Sequence, residues 1–224
     1  LLMVAQARRY DAGLVELARL AGQLGQLSMV TTEFRQSHPA SGFRQGMRHP
    51  LLLDMAVHAF DAARFLIGSR PLTVCATEFN PAHSWFAQGA AAVATVTFDG
   101  GVSYSYTGSW CARGALTSWA GRWRVDGELG SCAWTGDTEP DCTLADPSRP
   151  QPRVAAPGPV TDLVTQVSGP LDDFVAALRT GARPWGEAAD NLLTLAIVQA
   201  AISSAARSLP VAIEEMLEPP AEAV

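Results

Sequence analysis

The sequence contains no lysine, and all 16 basic side chains among its 224 residues are arginines. A lysine of this chain therefore cannot serve as a base, a nucleophile or a Schiff-base group. Charged residues make up only 17% of the sequence, and acidic residues outnumber basic ones, which gives a net charge of -6. Because binding to nucleic-acid phosphates normally needs a basic face, this composition argues against a nucleic-acid partner.

Long apolar runs and a secretory leader are also missing. No window offers the roughly eighteen uninterrupted apolar residues of a membrane span, so we expect no membrane partner. No charged segment precedes an apolar segment at the start, which predicts a cytoplasmic location. The Gly-x-Gly-x-x-Gly fingerprint of dinucleotide-binding domains follows none of the predicted strands, so cofactor-binding residues are not assigned within these residues.

Cysteine and histidine are too scattered to indicate a metal centre. The four cysteines contain no Cys-x-x-Cys pair, no two of the four histidines share a helix face, and the carboxylates lack ligand spacing. The sequence therefore predicts no metal site, and it predicts free thiols at Cys75, Cys111, Cys132 and Cys142.

The first third of the chain alternates between strand and helix patterns. The apolar residues 1–6 predict a short buried strand, and leucines at helical spacing predict a helix over residues 11–24. A β-branched run then predicts a strand over residues 27–35. Pro50 at the start and Gly68 after the end favour a helix over residues 50–67.

A period of two over residues 72–144 indicates a sheet of six to eight strands, mostly antiparallel because the connections are short. Asp99-Gly100-Gly101 is typical of a hairpin turn. Residues 137–159 are rich in Pro, Asp and Ser, which predicts an irregular excursion. Helices over about 170–180 and 187–208, and a last strand over 211–213, complete the pattern.

Four polar residues form a stripe on the otherwise apolar helix over 50–67, which we expect to be buried except along this stripe: Asp54, His58, Asp61 and Arg64. Asp54 and His58 stand four residues apart on one face, so the carboxylate can orient the imidazole or raise its pKa. Such a histidine can take the proton of a hydroxyl group near neutral pH. The alternative from spacing alone is a buried pair that satisfies its own hydrogen bonds.

The residues around this stripe resemble those of the glucose-fructose oxidoreductase and inositol dehydrogenase family (Gfo/Idh/MocA). The helix carries Asp54-x-x-x-His58-x-x-Asp61, which resembles the family's helix motif. The stretches 6–10 and 22–27 are similar to its Asn-Arg-Arg-Phe and Gly-x-Ile-Gly segments. The helix over 190–208 with Pro210-Val211, and Trp123-x-Val125-x-Gly127-x-x-Gly130, resemble its closing helix and late hairpin.

This resemblance implies an α+β fold with a large, open-faced, mainly antiparallel sheet packed with helices. It also implies a preceding Rossmann domain that binds NAD or NADP and that is absent from this sequence. Residues 1–10 are then a remnant of that dinucleotide-binding domain, and residues 11–224 are the substrate-binding, catalytic and oligomerisation domain. The family's catalytic lysine, in a Glu-Lys-Pro motif, is expected before Leu1, so these 224 residues alone are predicted to be inactive.

The resemblance further assigns His58 as the acid/base and Asp54 as a neighbour that binds substrate or tunes it. Arg48 and His49 stand where many relatives have glycines, which predicts a different substrate pocket. Arg8 and its neighbour Arg9 face either the substrate or cofactor, or form a surface ion pair. The predicted substrate-binding residues are Arg48, His49, Asp61 and Arg8.

The function implied is oxidation of a secondary hydroxyl group of a sugar, polyol or related cyclic alcohol. The alternative is a non-catalytic, family-like module for ligand sensing or oligomerisation. We also expect a homo-oligomer formed through the sheet, on the premise that Tyr, Trp and Val leave an uncovered apolar face. Four tryptophans either form a sugar-stacking wall or lie in a core or interface: Trp110, Trp119, Trp123 and Trp134.

Overall fold

The computed structural model describes residues 1–39, 41–145, 148, 153–155 and 168–218. Within these residues nine strands form a single sheet. They are β1 (Leu27–Arg35), β2 (Pro71–Phe79), β3 (Ala91–Phe98), β4 (Ser103–Ser109), β5 (Arg122–Gly127), β6 (Gly130–Trp134), β7 (Asp141–Leu144), β8 (Arg153–Ala155) and β9 (Val211–Ala212).

The strand order is β8-β7-β6-β5-β1-β4-β3-β2-β9, with β1 in the middle. β1 runs parallel to β4, and the other neighbouring strands pair antiparallel. The expected open, mainly antiparallel sheet is confirmed. The region 72–144 contains the six strands β2 to β7, which agrees with the six to eight expected there. However, β7 and β8 lie in the segment 137–159, which was predicted to be irregular. The rest of that segment is outside the described residues, apart from its first residues and Ser148.

Five α-helices and several tighter turns accompany the sheet in the described ranges. The α-helices are α1 (Ala12–Ala21), α2 (Val57–Ile67), α3 (Ser168–Thr180), α4 (Ala188–Arg207) and α5 (Ile213–Leu217). The 3-10 turns are Ala7–Tyr10, Gly42–Gly46 and Asp99–Gly101, and a π-helix spans Leu51–Ala56.

The helices α1, α2 and α4 pack on one face of the sheet, and this face carries the aromatic side chains. Phe60 of α2 meets the rings of Tyr104 and Tyr106 edge-on at centroid distances of 6.2 and 5.4 Å. Trp123 and Trp134 are buried on the same face. The core therefore lies between the sheet and its single layer of helices.

The opposite face of the sheet is largely polar, which corrects the premise behind the expected oligomer. Its rows run through Thr, Ser, Arg and Glu, as in the alternation Thr31, Glu33 and Arg35 on β1. Tyrosine, tryptophan and most valine side chains point to the helices instead. Strand alternation gave the right period, but it cannot show which of two faces receives the helices.

The amino-terminal segment differs from its prediction. Leu1 and Leu2 are exposed, and the segment 1–6 forms only an isolated bridge from Met3 to Glu187 in place of a buried strand. The next turn, Ala7–Tyr10, packs against α1 and α2, and Asp11 then caps α1 by accepting from two backbone N–H groups. The described residues 1–10 are thus packed into this fold, and the domain division at residue 10 stays a prediction.

The helix predicted over residues 50–67 forms in two parts. A π-helix over Leu51–Ala56 leads into α2, which ends at Gly68 with a left-handed φ of 70°. The π-helix adds a residue to the local turn, and such turns are common at functional sites. The predicted exposed stripe is wrong in its carboxy-terminal half, because Asp61 and Arg64 are 1% and 8% exposed.

The prediction of four free thiols is also wrong. Cys132 and Cys142 lie directly opposite each other on β6 and β7 and form a disulfide. Cys75 and Cys111 are free. The pairing depends on the register of two strands, which the spacing of ten residues along the chain does not reveal.

By length and composition, α4 is the one helix of the described ranges that could cross a membrane. Two of its polar side chains are nevertheless buried and bonded inside the fold. The Thr194 hydroxyl donates to Asp61 at 2.9 Å, and the Ser204 hydroxyl accepts from the Ala76 N–H group at 2.9 Å. These bonds are typical of a core helix that packs on β2 and α2.

Candidate functional site

A cavity of about 190 Å³ opens where the turn Ala7–Tyr10, the start of α1 and the start of α2 meet the loop between β4 and β5. We call it the His58 pocket. This volume lies below the roughly 300–1,000 Å³ of pockets for drug-sized ligands, so the cavity suits only a small molecule or part of a larger one. Its lining residues are Ala7, Arg8, Asp11, Met55, His58, Trp119 and Ala120.

His58 lies in the first turn of α2, partly buried in this pocket. Burial lowers the pKa of its imidazole below the ordinary value, and the positive charge of Arg8 lowers it further. The negative charges of Asp54 and Asp61 act in the opposite direction with less effect. The ring is therefore neutral at neutral pH, which is the state that a proton acceptor requires.

Arg8 is brought beside His58 by the 3-10 turn. Its guanidinium donates to the backbone carbonyl oxygens of Trp119 at 2.7 Å and of Ala120 at 3.4 Å. Burial lowers the pKa of this guanidinium, against the raising effect of the Tyr106, Tyr104 and Asp11 side chains. Arg8 therefore connects the turn Ala7–Tyr10 to the loop between β4 and β5, and its positive charge lies in the lining of the His58 pocket.

Asp54 lies in the π-helix, one turn before His58, but its carboxylate is engaged elsewhere. It accepts from the Arg44 guanidinium at 2.6 Å. The Arg44 guanidinium also lies over the rings of Phe43 and Trp110, with centroid distances of 4.9 and 5.9 Å. No hydrogen bond joins Asp54 to His58 among the described residues, so Asp54 acts on the imidazole through its charge.

Asp61 belongs to a buried ionic network rather than to the pocket. Its two carboxylate oxygens accept from the Arg9 guanidinium, each at 2.7 Å. Burial, the largest single effect, lowers the pKa of Arg9, but the bonds and charges of Asp61 and Asp190 together outweigh it and raise the pKa. Asp190 of α4 adds contacts to Arg9 at 3.2 Å and to Arg64 at 2.9 Å. The network fixes the turn Ala7–Tyr10 on α2 and α4, and thereby aims Arg8 at His58.

Arg48 and His49, two further predicted substrate residues, do not line the His58 pocket. Arg48 is exposed, and the His49 imidazole pairs with the largely buried carboxylate of Glu78. His49 has a φ of 53°, a left-handed conformation that a residue other than glycine rarely adopts. The structure thus brings Arg8 to His58, places Asp54 one turn away, and leaves Arg48, His49 and Asp61 outside the pocket.

Trp119 is a pocket residue that sequence reasoning did not distinguish from the other tryptophans. It is 50% exposed and stacks on Phe34 at a centroid distance of 6.0 Å. Trp110, Trp123 and Trp134 are buried, as the core interpretation expects. The sequence does set Trp119 apart from the other three tryptophans. It stands between Ser118 and Ala120-Gly121, outside the alternating pattern of a strand, which is typical of a loop.

Two larger depressions lie elsewhere. One of about 550 Å³ lies on the strands β1, β4, β5 and β6, and one of about 540 Å³ lies beside Arg64, Arg70 and Asp190. Neither contains a histidine. Across the described ranges, no three His, Cys, Asp or Glu side chains converge as a metal site would require. Of these three cavities, the His58 pocket is thus the one with a histidine in its lining.

An open, mainly antiparallel sheet covered on one face by helices defines the class of α+β domains to which this fold belongs. The family model described as the GFO/IDH/MocA C-terminal domain matches residues 17–133. The chain belongs to this family, whose structurally similar members are oxidoreductases.

Solved structures of low sequence identity share the fold. An oxidoreductase of Agrobacterium radiobacter, in complex with NAD+, L-tartaric acid and magnesium, has a TM-score of 0.81 at 19% identity over 96% of this chain. Aldose-aldose oxidoreductase of Caulobacter crescentus, complexed with glycerol, has a TM-score of 0.75 at 22% identity over 94%. This chain covers 65% and 63% of those two chains.

A curated relative extends the comparison in sequence. An uncharacterised protein of Sinorhizobium fredii, y4oX, is 26% identical over 227 residues. That alignment includes 96% of this chain but only 63% of the relative. The chain therefore spans less than two thirds of the length of each of these three proteins.

Proposed function

We propose that the chain is the substrate-binding and catalytic part of an NAD(P)-dependent oxidoreductase that oxidises a secondary hydroxyl group of a sugar, polyol or related cyclic alcohol. The observation that carries this proposal is the neutral imidazole of His58 in a small pocket beside Arg8. Family membership supports it. The tartaric acid and glycerol bound by the two solved oxidoreductases are both polyhydroxy compounds, which supports the substrate class.

In this proposal His58 accepts the proton of the substrate hydroxyl as the carbon loses hydride. Its lowered pKa keeps it unprotonated and ready to accept. Arg8 and Trp119 orient the substrate, and Asp54 adjusts the basicity of His58 through its charge. The bound nicotinamide supplies the hydride acceptor. No glycine-rich phosphate loop follows a strand in this sequence, so we assign NAD or NADP binding mainly to residues outside it.

We also propose that the polar face of the sheet contacts a second copy of the protein. No helix of the described ranges covers this face, and it exposes apolar side chains at Met29, Phe79 and Val93 among threonines and serines. Apolar groups set in a flat polar surface suit a homo-oligomer interface. A nucleic-acid partner and a membrane partner remain unexpected on composition.

The direct test incubates the full-length protein with a panel of sugars and polyols and either NAD+ or NADP+. The proposal expects reduced nicotinamide to form with at least one substrate. Ligand binding without any cofactor reduction would contradict it and would favour the non-catalytic sensing or oligomerisation module.

A further inference from the structure

Arg8 is a cation that the fold does not neutralise. Its two hydrogen-bond partners, the carbonyl oxygens of Trp119 and Ala120, are uncharged. In contrast, its chain neighbour Arg9 is paired with Asp61 and Asp190, and Arg44 is paired with Asp54. Within the described part of the chain, no carboxylate lies within ion-pair distance of Arg8.

Asp11, whose charge acts on Arg8, is already committed to another task. Its carboxylate accepts from the backbone N–H groups of Gly13 at 2.9 Å and Leu14 at 3.4 Å, where it caps α1. A guanidinium has five N–H donors, and the two carbonyl oxygens use only part of them. No Arg8 donor is buried without a partner, so the remaining donors are accessible, and a charge-assisted bond to them favours an anionic ligand.

We infer that the His58 pocket binds a substrate that carries a carboxylate, with Arg8 as its ionic partner. The inference rests on the proposed function and narrows its substrate to a hydroxy acid such as a sugar acid. Arg8 binds the carboxylate, and His58 lies in the same cavity of about 190 Å³ to receive the hydroxyl proton. The step balances because the secondary alcohol and NAD(P)+ give a ketone, NAD(P)H and a proton. The hydrogen on the alcohol carbon leaves with the electron pair of its bond, as hydride, and reduces NAD(P)+. His58 takes up the hydroxyl proton, and the electrons of the O–H bond form the second bond of the carbonyl group.

The anion that binds Arg8 could also be a phosphate group of the cofactor. The two sources differ in what Arg8→Gln changes. A substrate carboxylate partner makes the variant lose discrimination between an acid and its matching alcohol. A phosphate partner makes it lose affinity for NAD(P).

The experiment measures binding to the full-length protein loaded with NAD+ or NADP+ by calorimetry. Matched probes differ only at one carbon: D-gluconate against D-sorbitol, and D-glycerate against glycerol. We expect at least one acid to bind roughly ten- to a hundredfold more tightly than its alcohol, as for a charge-assisted bond in a pocket. Arg8→Gln is expected to reduce this ratio to within about threefold. The matched control Arg207→Gln removes an exposed guanidinium that pairs with Glu215 at the end of α4, outside the His58 pocket, and should leave the ratio unchanged.

Two results overturn the inference: no acid binds better than its alcohol, or Arg8→Gln weakens NAD(P) binding tenfold while the acid preference persists. Either result leaves the proposed oxidoreductase function standing if reduced cofactor still forms and depends on His58. Conversely, an acid preference that depends on Arg8, without any cofactor reduction, supports the anionic ligand and contradicts the oxidoreductase.

Discussion

Arg8 and Arg9 are adjacent in the chain, yet they lie in opposite electrostatic surroundings. Arg9 is buried against two carboxylates, whereas Arg8 meets only carbonyl oxygens and the His58 pocket. The 3-10 turn separates their directions by about a third of a turn. The sequence offered a ligand contact or a surface ion pair for these arginines. Arg9 forms an ion pair, but a buried one, and we propose the ligand contact for Arg8.

The pH dependence of turnover should respond in opposite directions to two charge-removing variants of the full-length enzyme. Turnover needs neutral His58, so kcat/KM should rise with pH through a pKa below the ordinary value of about 6.5 and then level off. Arg8→Gln removes a positive charge that lowers this pKa, so the rising limb should move to higher pH. Asp54→Asn removes a negative charge that raises it, so the limb should move to lower pH.

Profiles recorded on one substrate for both variants and wild type provide the measurement. Limbs that stay at the wild-type position in both variants would show that the titrating group is not His58.

How well the position of each of these residues could be predicted depends on whether its partners are close to it in the sequence. His58 could be selected from its helix spacing and motif. The partner of Asp54 could not, because Arg44 lies in a 3-10 turn within a polar segment whose sequence shows no periodicity. Asp61 follows Asp54 and His58 in the predicted helix, but it contacts Arg9 and Thr194 instead of the pocket. The π-helix changes the angle between Asp54 and the side chains of α2, which the helical spacing alone does not show.

At the scale of elements, the Asp61 network holds the amino-terminal turn, α2 and α4 together. Asp61→Asn leaves the buried charge of Arg9 without its main partner, so the free energy of unfolding should fall by about 3 to 5 kcal/mol. The control Arg124→Gln breaks an exposed pair with Asp126 and should cost less than about 1 kcal/mol. Denaturant unfolding of the full-length variants measures both. Equal losses would mean that the network contributes no more than a surface ion pair.

The left-handed residue before the π-helix can be tested in the same way. His49→Gly and His49→Ala both remove the pairing with Glu78, but only alanine keeps the steric cost of a positive φ. We therefore expect the glycine variant to be the more stable by about 1 kcal/mol. Thermal or denaturant unfolding of the two proteins gives the difference. An alanine variant at least as stable as the glycine variant would exclude a left-handed conformation at this position.

Regular elements were the most predictable part of the fold. The strand over Leu27–Arg35 agrees with its predicted bounds, and α1, α2, α3 and α4 begin and end near their predicted residues, apart from the π-helix that replaces the first turns before α2. Their apolar periodicity and their capping residues are local signals. The strand expected over residues 1–6 failed, because an apolar run specifies burial without supplying a neighbouring strand.

At the scale of the whole molecule, the open sheet face provides the oligomer prediction. Arginine introduced at Met29 and Val93 would place two charges on this face, so the full-length double variant should dissociate towards monomers while it remains folded. Light scattering gives the mass, and circular dichroism checks the fold. A wild-type protein that is monomeric at high concentration would contradict an interface on this face.

The substitution His58→Ala in the full-length protein tests the central claim most directly. A general base acts in the transition state, whereas the nucleotide is held elsewhere, so turnover should fall roughly a hundred- to ten-thousandfold. The affinity for NAD(P) and the melting temperature should remain near those of wild type, because His58 is a pocket residue without a structural hydrogen bond in the described ranges. Near-normal turnover in a folded, cofactor-binding variant would contradict the assignment of His58 as the base.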